Sequence, residues 1–139
     1  MELEEVIKKR KSVRAFKKDD IPDESLKEII SLARLGPSAG AVRGYEAIIS
    51  RERLNRVEAP VYLVICTDPE PYALRYGERG KNLYSVQDAT IFGAYIQLML
   101  VDKGLASVWI GAFREGSIQR MLNTNLHPVA IIALGYENL

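Results

Sequence analysis

Apolar and polar positions along the chain repeat with two periods, and each period predicts one kind of element. Helical spacing predicts four helices, over residues 2–10, 22–35, 83–103 and 117–122. Short apolar runs predict four strands, over residues 45–50, 61–66, 106–110 and 129–135. No repeat, low-complexity tract or linker interrupts the pattern, so the 139 residues are expected to form one domain, residues 1–139.

The strand over residues 61–66 and the helix over residues 83–103 are strongly apolar. The strand is apolar on both faces, which predicts a central position in its sheet. The helix is apolar on most of its circumference, so it is expected to be buried in a large core or in a subunit interface. Because the domain is small, we expect a dimer. Gly93 and Ala94 would permit another helix to approach this one closely.

Three stretches between these elements are less regular. Residues 51–58 are compatible with one or two helical turns, and residues 67–71 are interpreted as a loop. Residues 72–82 mix basic residues, glycines and tyrosines without a clear period. We leave this last stretch without an element, as a candidate for a mobile lid.

The composition is that of an ordinary globular protein, with 47% hydrophobic and 27% charged residues. The net charge is +1, so no overall field attracts nucleic acid or an anionic membrane. The first residues are charged, which argues against a signal peptide, and no apolar segment is long enough to span a bilayer. We therefore expect a cytoplasmic protein with no nucleic-acid or membrane partner.

The single cysteine and the single histidine narrow the chemistry further. Cys66 can form no internal disulfide, and its place in an apolar strand favours a core residue over a reactive thiol. His127 stands alone before Pro128, whereas a metal site needs several ligands. No metal site is predicted.

Residues 8–18 carry seven basic side chains and no acidic one. Like charges at this density repel one another, so the cluster needs a reason. One interpretation is a solvated surface run. The other is an anion site, in which the motif Arg10-Lys11-Ser12-Val13-Arg14 binds a phosphate group. Val13 would then be an apolar anchor, which a floppy tail would not need.

Two loops are candidates for close contact with a ligand. Pro37-Ser38-Ala39-Gly40-Ala41-Val42-Arg43-Gly44 is either a plain surface turn or a loop whose backbone approaches a flat ligand, because its first residues have almost no side chain. Gly111-Ala112-Phe113 follows the strand over residues 106–110. A loop opened by glycine at a strand end is where backbone amides point at ligands in α/β proteins.

Taken together, these stretches resemble the nitroreductase family of FMN-dependent oxidoreductases. The resemblance rests on four pieces in the family's order: Arg10-Lys11-Ser12-Val13-Arg14, Pro37-Ser38-Ala39-Gly40, the helix from Gln87-Asp88-Ala89 through Gly104-Leu105, and Trp109-Ile110-Gly111-Ala112-Phe113. The closing Ala133-Leu134-Gly135-Tyr136 also fits. Each piece is short, but their joint order and spacing cover most of the chain.

The resemblance implies an α+β sandwich, with a central, mainly antiparallel sheet flanked by helices, that forms a homodimer with FMN at the subunit interface. It implies that the FMN phosphate is held by Arg10, Lys11 and Ser12. It also implies that Arg14 lies near the pyrimidine edge of the flavin. The remaining implied cofactor-binding residues are Ser38, Ala39 and Gly40, from the partner subunit, and Ile110 and Gly111, beside flavin N5 and O4. No acid–base side chain is assigned, because the flavin carries the chemistry.

The implied activity is hydride transfer from NADH or NADPH, through flavin N5, to an electron-poor acceptor such as a nitroaromatic compound or a quinone, in a ping-pong cycle. An alternative is a flavin-binding protein with little reductase activity, serving storage or regulation. A nucleic-acid-binding module is disfavoured by the near-zero net charge and by the lack of interleaved aromatic residues around the basic cluster.

Departures from the family pattern motivate that alternative. The family's loop continues with Asn and then Gln-Pro-Trp, where this sequence has Ala41 and Arg43-Gly44-Tyr45. The region between Tyr45 and Ala59 lacks a helical segment that many members carry. The sequence ends soon after Gly135, without the basic extension that often completes the phosphate site. These differences predict an FMN that is more exposed or more weakly bound.

Overall fold

A computed structural model describes residues 1–139 and contains both kinds of predicted element. The helices are α1 (Leu3–Lys9), α2 (Asp23–Ala33), α3 (Pro69–Arg79), α4 (Ser85–Asp102) and α5 (Glu115–Leu122). The strands are β1 (Tyr45–Ser50), β2 (Val61–Thr67), β3 (Ala106–Ile110) and β4 (His127–Gly135). All four predicted strands and all four predicted helices are confirmed, with their ends shifted by a few residues.

The four strands form one sheet in the order β1-β2-β4-β3, and every pair in it is antiparallel. The last strand in sequence therefore lies between two earlier ones. Every residue of β2 is buried, which confirms its predicted central position. With helices packed on this sheet, the chain has the expected α+β architecture.

The sheet has a core on each face. Side chains alternate between the two faces of a strand, so Val61, Leu63 and Ile65 of β2 join the core beneath α2 and α4. Tyr62, Val64 and Cys66 join the smaller core on the other face, which includes Ile118 of α5. Cys66 is fully buried, as expected of a core residue.

The long helix α4 packs on the first of these cores but remains partly uncovered. Val86 and Tyr95 each expose 42% of their surface. The sequence analysis expected Gly93 to let another helix approach α4, but within this chain its close neighbour is a side chain of β3. A Cβ atom there would lie 2.5 Å from Cζ3 of Trp109, so the glycine admits a side chain from β3 rather than a neighbouring helix.

Two connections differ from the sequence-based expectation. The stretch 51–58 forms no helix. Its first residue, Arg51, follows β1 and forms salt bridges with Asp20 and Asp23, with N–O distances of 2.9 and 2.7 Å. The expected loop at residues 67–71 ends early, because Asp68 caps the first turn of α3 by accepting a hydrogen bond from the amide of Glu70.

The stretch 72–82, which had no predicted element, is helical. The chain kinks at Gly77 (φ +65°, ψ −148°), and a single π-helical segment, Gly80–Tyr84, then leads directly into α4. The kink resets the phase of the side chains, which explains why no helical period was visible in the sequence. No helix in the structure has the length and apolarity needed to cross a membrane.

Candidate functional site

We call the motif Arg10–Arg14 the basic segment. It lies beside β3, an edge strand of the sheet. Ser12 forms a bridge with Ser107 of β3, and the amide of Val13 donates to the Ser107 carbonyl at 3.0 Å. The Val13 side chain is 6% exposed, so it acts as the predicted apolar anchor. A buried hydrogen bond of 3.1 Å from Gln97 of α4 to the Ser107 hydroxyl fixes the strand from the other side. The segment is therefore pinned through its backbone.

Pinning the backbone leaves the charged side chains facing outward. Arg10 and Arg14 are exposed, and neither guanidinium forms a salt bridge. Lys11 is also exposed, but its Nζ lies 3.2 Å from a carboxylate oxygen of Glu137. Two uncompensated guanidinium groups on a fixed backbone form a surface that can bind an anion.

We call Gly111-Ala112-Phe113 the glycine loop. It lies at the other end of β3. Ile110 is the last paired residue of the strand, and Gly111 follows it. No atom lies within 4 Å of the position a Gly111 Cβ would take, and this residue lines a cavity of about 400 Å³. Since a strand rises about 3.3 Å per residue, Ser107 and Gly111 are about 13 Å apart. The basic segment and the glycine loop thus share one strand, as the two ends of an elongated ligand would require.

A buried carboxylate organises the loop at residues 38–44. Asp88 of α4 is 4% exposed, and it accepts hydrogen bonds from the Ser38 hydroxyl at 2.5 Å and from the Tyr72 hydroxyl at 2.7 Å. The amide of Ala39 lies 3.1 Å from both carboxylate oxygens. We call these four residues the Asp88 clasp. Its donors satisfy a charge that would otherwise be costly to bury.

The two hydroxyls of the clasp also hold the far end of the loop. The Ser38 oxygen accepts a hydrogen bond from the amide of Arg43 at 2.9 Å, and the Tyr72 oxygen accepts one from the amide of Gly44 at 3.1 Å. Burial raises the pKa of Tyr72 above its ordinary value, and the hydrogen bond to Asp88 raises it further. Tyr72 therefore stays protonated and keeps donating.

This geometry changes what the predicted loop residues can do. The Ser38 hydroxyl is turned inward, so it is not free to contact a ligand. Gly40 has φ +53°, and a Cβ there would collide with the Tyr76 hydroxyl and lie 2.7 Å from Cζ of Arg75. Glycine is thus favoured at this position by the left-handed backbone, and a larger residue would force the ends of the Tyr76 and Arg75 side chains to move.

Arg43 stands where the family pattern has a glutamine, and its side chain is used for structure. Its Nη1 donates to the carbonyls of Arg34 and Gly36, at 2.6 and 2.7 Å. Arg34 in turn donates to the Tyr45 carbonyl at 2.7 Å. Arg43 therefore satisfies carbonyl groups at the end of α2, which have no partner within the helix. It is not free to serve as a ligand contact.

Within one chain, the Ser38–Gly40 loop and Gly111 line different cavities. The Ser38–Gly40 loop is held at Asp88, whereas the basic segment is linked through Ser107 to Gln97, nine residues further along α4. At 1.5 Å per residue, these points lie about 14 Å apart along the helix axis. The loop borders a different cavity, of about 740 Å³.

The sequence reasoning missed the clasp itself. The sequence analysis placed Asp88 in the motif Gln87-Asp88-Ala89 of the long helix but assigned it no role. A carboxylate on an otherwise apolar helix is the signal that could have identified it, because a buried charge needs partners. Its donors Ser38 and Tyr72 are 50 and 16 residues away in sequence, so the partners themselves were not visible.

Comparison with known proteins agrees with this architecture. The family model described as "Nitroreductase family" matches residues 7–58 and 51–136, and the chain belongs to that family. A relative from Methanothermobacter thermautotrophicus, provisionally named NADH dehydrogenase/NAD(P)H nitroreductase, is 30% identical over 98% of this chain and 78% of its own length.

Two solved structures show the same fold. A nitroreductase family protein from Clostridium difficile 630 has a TM-score of 0.87 and 28% identity, covering 100% of this chain and 86% of its own. A protein from Staphylococcus epidermidis, provisionally named an NAD(P)H:FMN oxidoreductase, has a TM-score of 0.85 and 20% identity over 99% of this chain and 88% of its own. The family and the related names support an oxidoreductase role for this chain.

Proposed function

We propose that the chain is an FMN-dependent NAD(P)H oxidoreductase that reduces electron-poor acceptors such as nitroaromatic compounds or quinones. The observation that carries this proposal is the pinned basic segment, which presents the free guanidiniums of Arg10 and Arg14 near one end of β3 while Gly111 stands open at the other. Family membership and the name of the Staphylococcus epidermidis protein supply the cofactor class.

The residues present fit a flavin nucleotide. Arg10, Lys11 and Ser12 would hold its phosphate, because guanidinium, ammonium and hydroxyl groups all donate to phosphate oxygens. Arg14 would stabilise negative charge at the pyrimidine edge. The backbone of Ile110 and Gly111 would orient the reacting edge of the ring without any side-chain rearrangement. When bound, FMN supplies the hydride chemistry through N5.

The proposed assembly is a homodimer. Because the Ser38–Gly40 loop and Gly111 line different cavities of one chain, we propose that this loop serves the site of the partner subunit. Apolar side chains on α1 and α4 offer a surface for that contact: Leu3, Ile7 and Tyr95 expose 64%, 55% and 42% of their area. Exposed apolar side chains near one another are typical of a subunit interface.

The test begins with the purified protein and added FMN. Binding is followed by flavin absorption and by titration calorimetry, and the assembly is followed by light scattering. NADH and NADPH are then added anaerobically, and reduction is read from the loss of the flavin absorption band. We expect a dimer that binds FMN, is reduced by one or both donors, and is reoxidised by a quinone. A monomer that ignores FMN would overturn the proposal.

One observation favours the second candidate, a flavin-binding protein with little reductase activity. The Ser38 hydroxyl and the Arg43 guanidinium are both committed to internal partners, so the 38–44 loop has few polar groups left for an acceptor. Tight FMN binding together with flavin that stays oxidised in excess NADH and NADPH would favour this function over the first.

A further inference from the structure

A carboxylate from the last residues of the sequence lies against the basic segment. Oε2 of Glu137 is 3.2 Å from Nζ of Lys11. Arg10 and Arg14, the other two cations of the segment, form no salt bridge. One of the three cations is therefore already paired inside the protein, and two remain available to a bound anion.

The backbone around this carboxylate is fixed. Residues 136–138 pair with residues 15–17 through two hydrogen bonds between backbone amides and carbonyls, with N–O distances of 2.8 and 3.0 Å. Glu137 itself forms an antiparallel bridge with Phe16. Because residues 15–17 follow the basic segment directly, this pairing holds the carboxylate beside Lys11.

The two side chains of the pair differ in their freedom to move. The Glu137 side chain is 32% exposed, whereas that of Lys11 is 64% exposed. A partly buried carboxylate on a fixed backbone has few other positions, whereas the lysine ammonium is carried on a flexible stem. An anion that binds Lys11 therefore meets a carboxylate that cannot move far away.

The same pair lines a cavity of about 380 Å³ next to the basic segment. The ionisable side chains in its lining are Lys9, Lys11 and Glu137. An ammonium donates to phosphate oxygens at about 2.8 Å, so a phosphate that shared Lys11 with Glu137 would lie within about 6 Å of the carboxylate. A phosphate group carries about two negative charges at neutral pH, and like charges at this separation repel one another.

We propose that Glu137 is an internal competitor for phosphate groups at the basic segment and that it weakens the binding of the FMN phosphate. Lys11 exchanges a carboxylate for phosphate oxygens, so the lost contact offsets part of the new one. Arg10 has no such partner and offers its full contact. This inference rests on the proposed function. It implies that the protein distinguishes FMN from riboflavin less strongly than its three cations alone would allow.

The test compares FMN with riboflavin, which lacks the phosphate group. Titration calorimetry at one ionic strength gives both dissociation constants, and the measured quantity is the ratio of the riboflavin Kd to the FMN Kd. We expect Glu137→Gln to raise this ratio about fivefold, which is the effect of releasing one partly exposed ion pair. An unchanged ratio in Glu137→Gln overturns the inference.

Glu46→Gln is the matched control. It removes the same charge from a carboxylate that is 59% exposed and lies 3.7 Å from Nη1 of Arg34. Glu46 belongs to β1, at the opposite edge of the sheet from β3. We expect its ratio to equal that of the parent protein. A fivefold rise in this variant as well would show an effect of net charge alone and would overturn the role of Glu137.

A double-mutant cycle tests whether Glu137 acts through Lys11. In the Lys11→Gln background, Glu137→Gln is expected to change the ratio less than twofold, because no ammonium is released. The same fivefold gain in both backgrounds would mean general repulsion, and it would overturn competition for Lys11.

Pyrophosphate is the probe that separates failure of this inference from failure of the proposed function. It is titrated into the protein by amide NMR and followed at the signals of residues 10–14, so no flavin is needed. We expect it to bind Glu137→Gln about fivefold more tightly than the parent protein. This gain in a protein that ignores FMN would support the competition and overturn the FMN-dependent function. FMN binding by the parent protein without any gain in the variant would do the reverse.

Discussion

The hydroxyl of Tyr72 on α3 donates a hydrogen bond of 2.7 Å to the carboxylate of Asp88 on α4. This contact joins α3, which was not predicted from the sequence, to α4, which was. Through the same carboxylate, both helices are tied to the loop that begins at Ser38. The Asp88 clasp therefore fixes the relative positions of the 38–44 loop, α3 and α4, which border the cavity of about 740 Å³.

Replacing Asp88 with asparagine is expected to destabilise the protein by about 2–3 kcal/mol, because the amide presents an N–H group to donors and removes a charge-assisted acceptor. Urea unfolding measures the free energy change. Asp102→Asn is the matched control on the same helix; its carboxylate is 32% exposed and pairs with the N-terminal amine, so the expected loss is under about 1 kcal/mol. Equal losses in the two variants would contradict the structural role of the clasp.

Replacing Gly40 with alanine is expected to cost stability twice over, through the left-handed backbone and through collision with Tyr76 and Arg75. Gly104→Ala isolates the first effect, because Gly104 has φ +79° and no atom lies within 4 Å of its Cβ position. We expect Gly104→Ala to lose about 1 kcal/mol. Gly40→Ala is expected to lose more, because moving Arg75 also breaks its hydrogen bond of 2.7 Å to the Gly40 carbonyl. If both variants lose the same amount in thermal unfolding, the contacts of Tyr76 and Arg75 with Gly40 contribute no stability.

Arg10→Ala is expected to weaken FMN binding at least tenfold without changing the unfolding midpoint, because the side chain is exposed and makes no internal salt bridge. Calorimetric titration gives the affinity, and urea unfolding tests the fold. Arg56→Ala is the control, since Arg56 is an exposed arginine outside the basic segment. Unchanged affinity in Arg10→Ala would mean that the segment is only a solvated charged surface.

The Cys66 thiol is expected to be inert in the folded protein. Burial raises its pKa from an ordinary value of 9.0 to about 12, so almost no reactive thiolate is present at pH 8. A disulfide reagent such as DTNB should react only as fast as the protein unfolds, whereas Ser31→Cys, at an exposed position of α2, should react at once. Rapid labelling of native Cys66 would contradict the packing of β2.

The same shift predicts how stability depends on pH. A pKa raised by folding gives stability that is complete below pH 9 and is lost as pH rises towards 12, because the unfolded chain ionises first. Cys66→Ala should therefore lose less stability than the parent protein between pH 9 and 11. Parallel curves of unfolding free energy against pH would refute this.

The sequence was most informative where neighbouring residues decide the outcome. β2 was predicted as central because its run of apolar residues leaves no polar face, and the structure confirms this. The sheet order was out of reach, because pairing joins β2 to a strand more than sixty residues later. The stretch 72–82 was left without an element because the positive φ of Gly77 and the π-helical segment that begins at Gly80 interrupt the regular helical period.

In the candidate site, too, features set by neighbouring residues were predicted and features set by distant residues were not. The cluster of cations in the basic segment was evident from the order of residues in the sequence, and the buried anchor Val13 was identified correctly. The inward turn of the Ser38 hydroxyl was not predictable, because it depends on a carboxylate fifty residues away. Small side chains in a loop indicate close packing but not the partner, which here includes Tyr76 and Arg75 of α3.

The position of β4 has a consequence for synthesis of the chain. A ribosome releases β3 before β4, yet β4 supplies the only strand with which β3 forms a ladder. Until residues 127–135 emerge, β3 has only the single bridge at Ser12, and one edge of β2 has no partner. The nascent polypeptide therefore exposes two strand edges that are open to mispairing with other chains, and insertion of β4 between them completes the sheet.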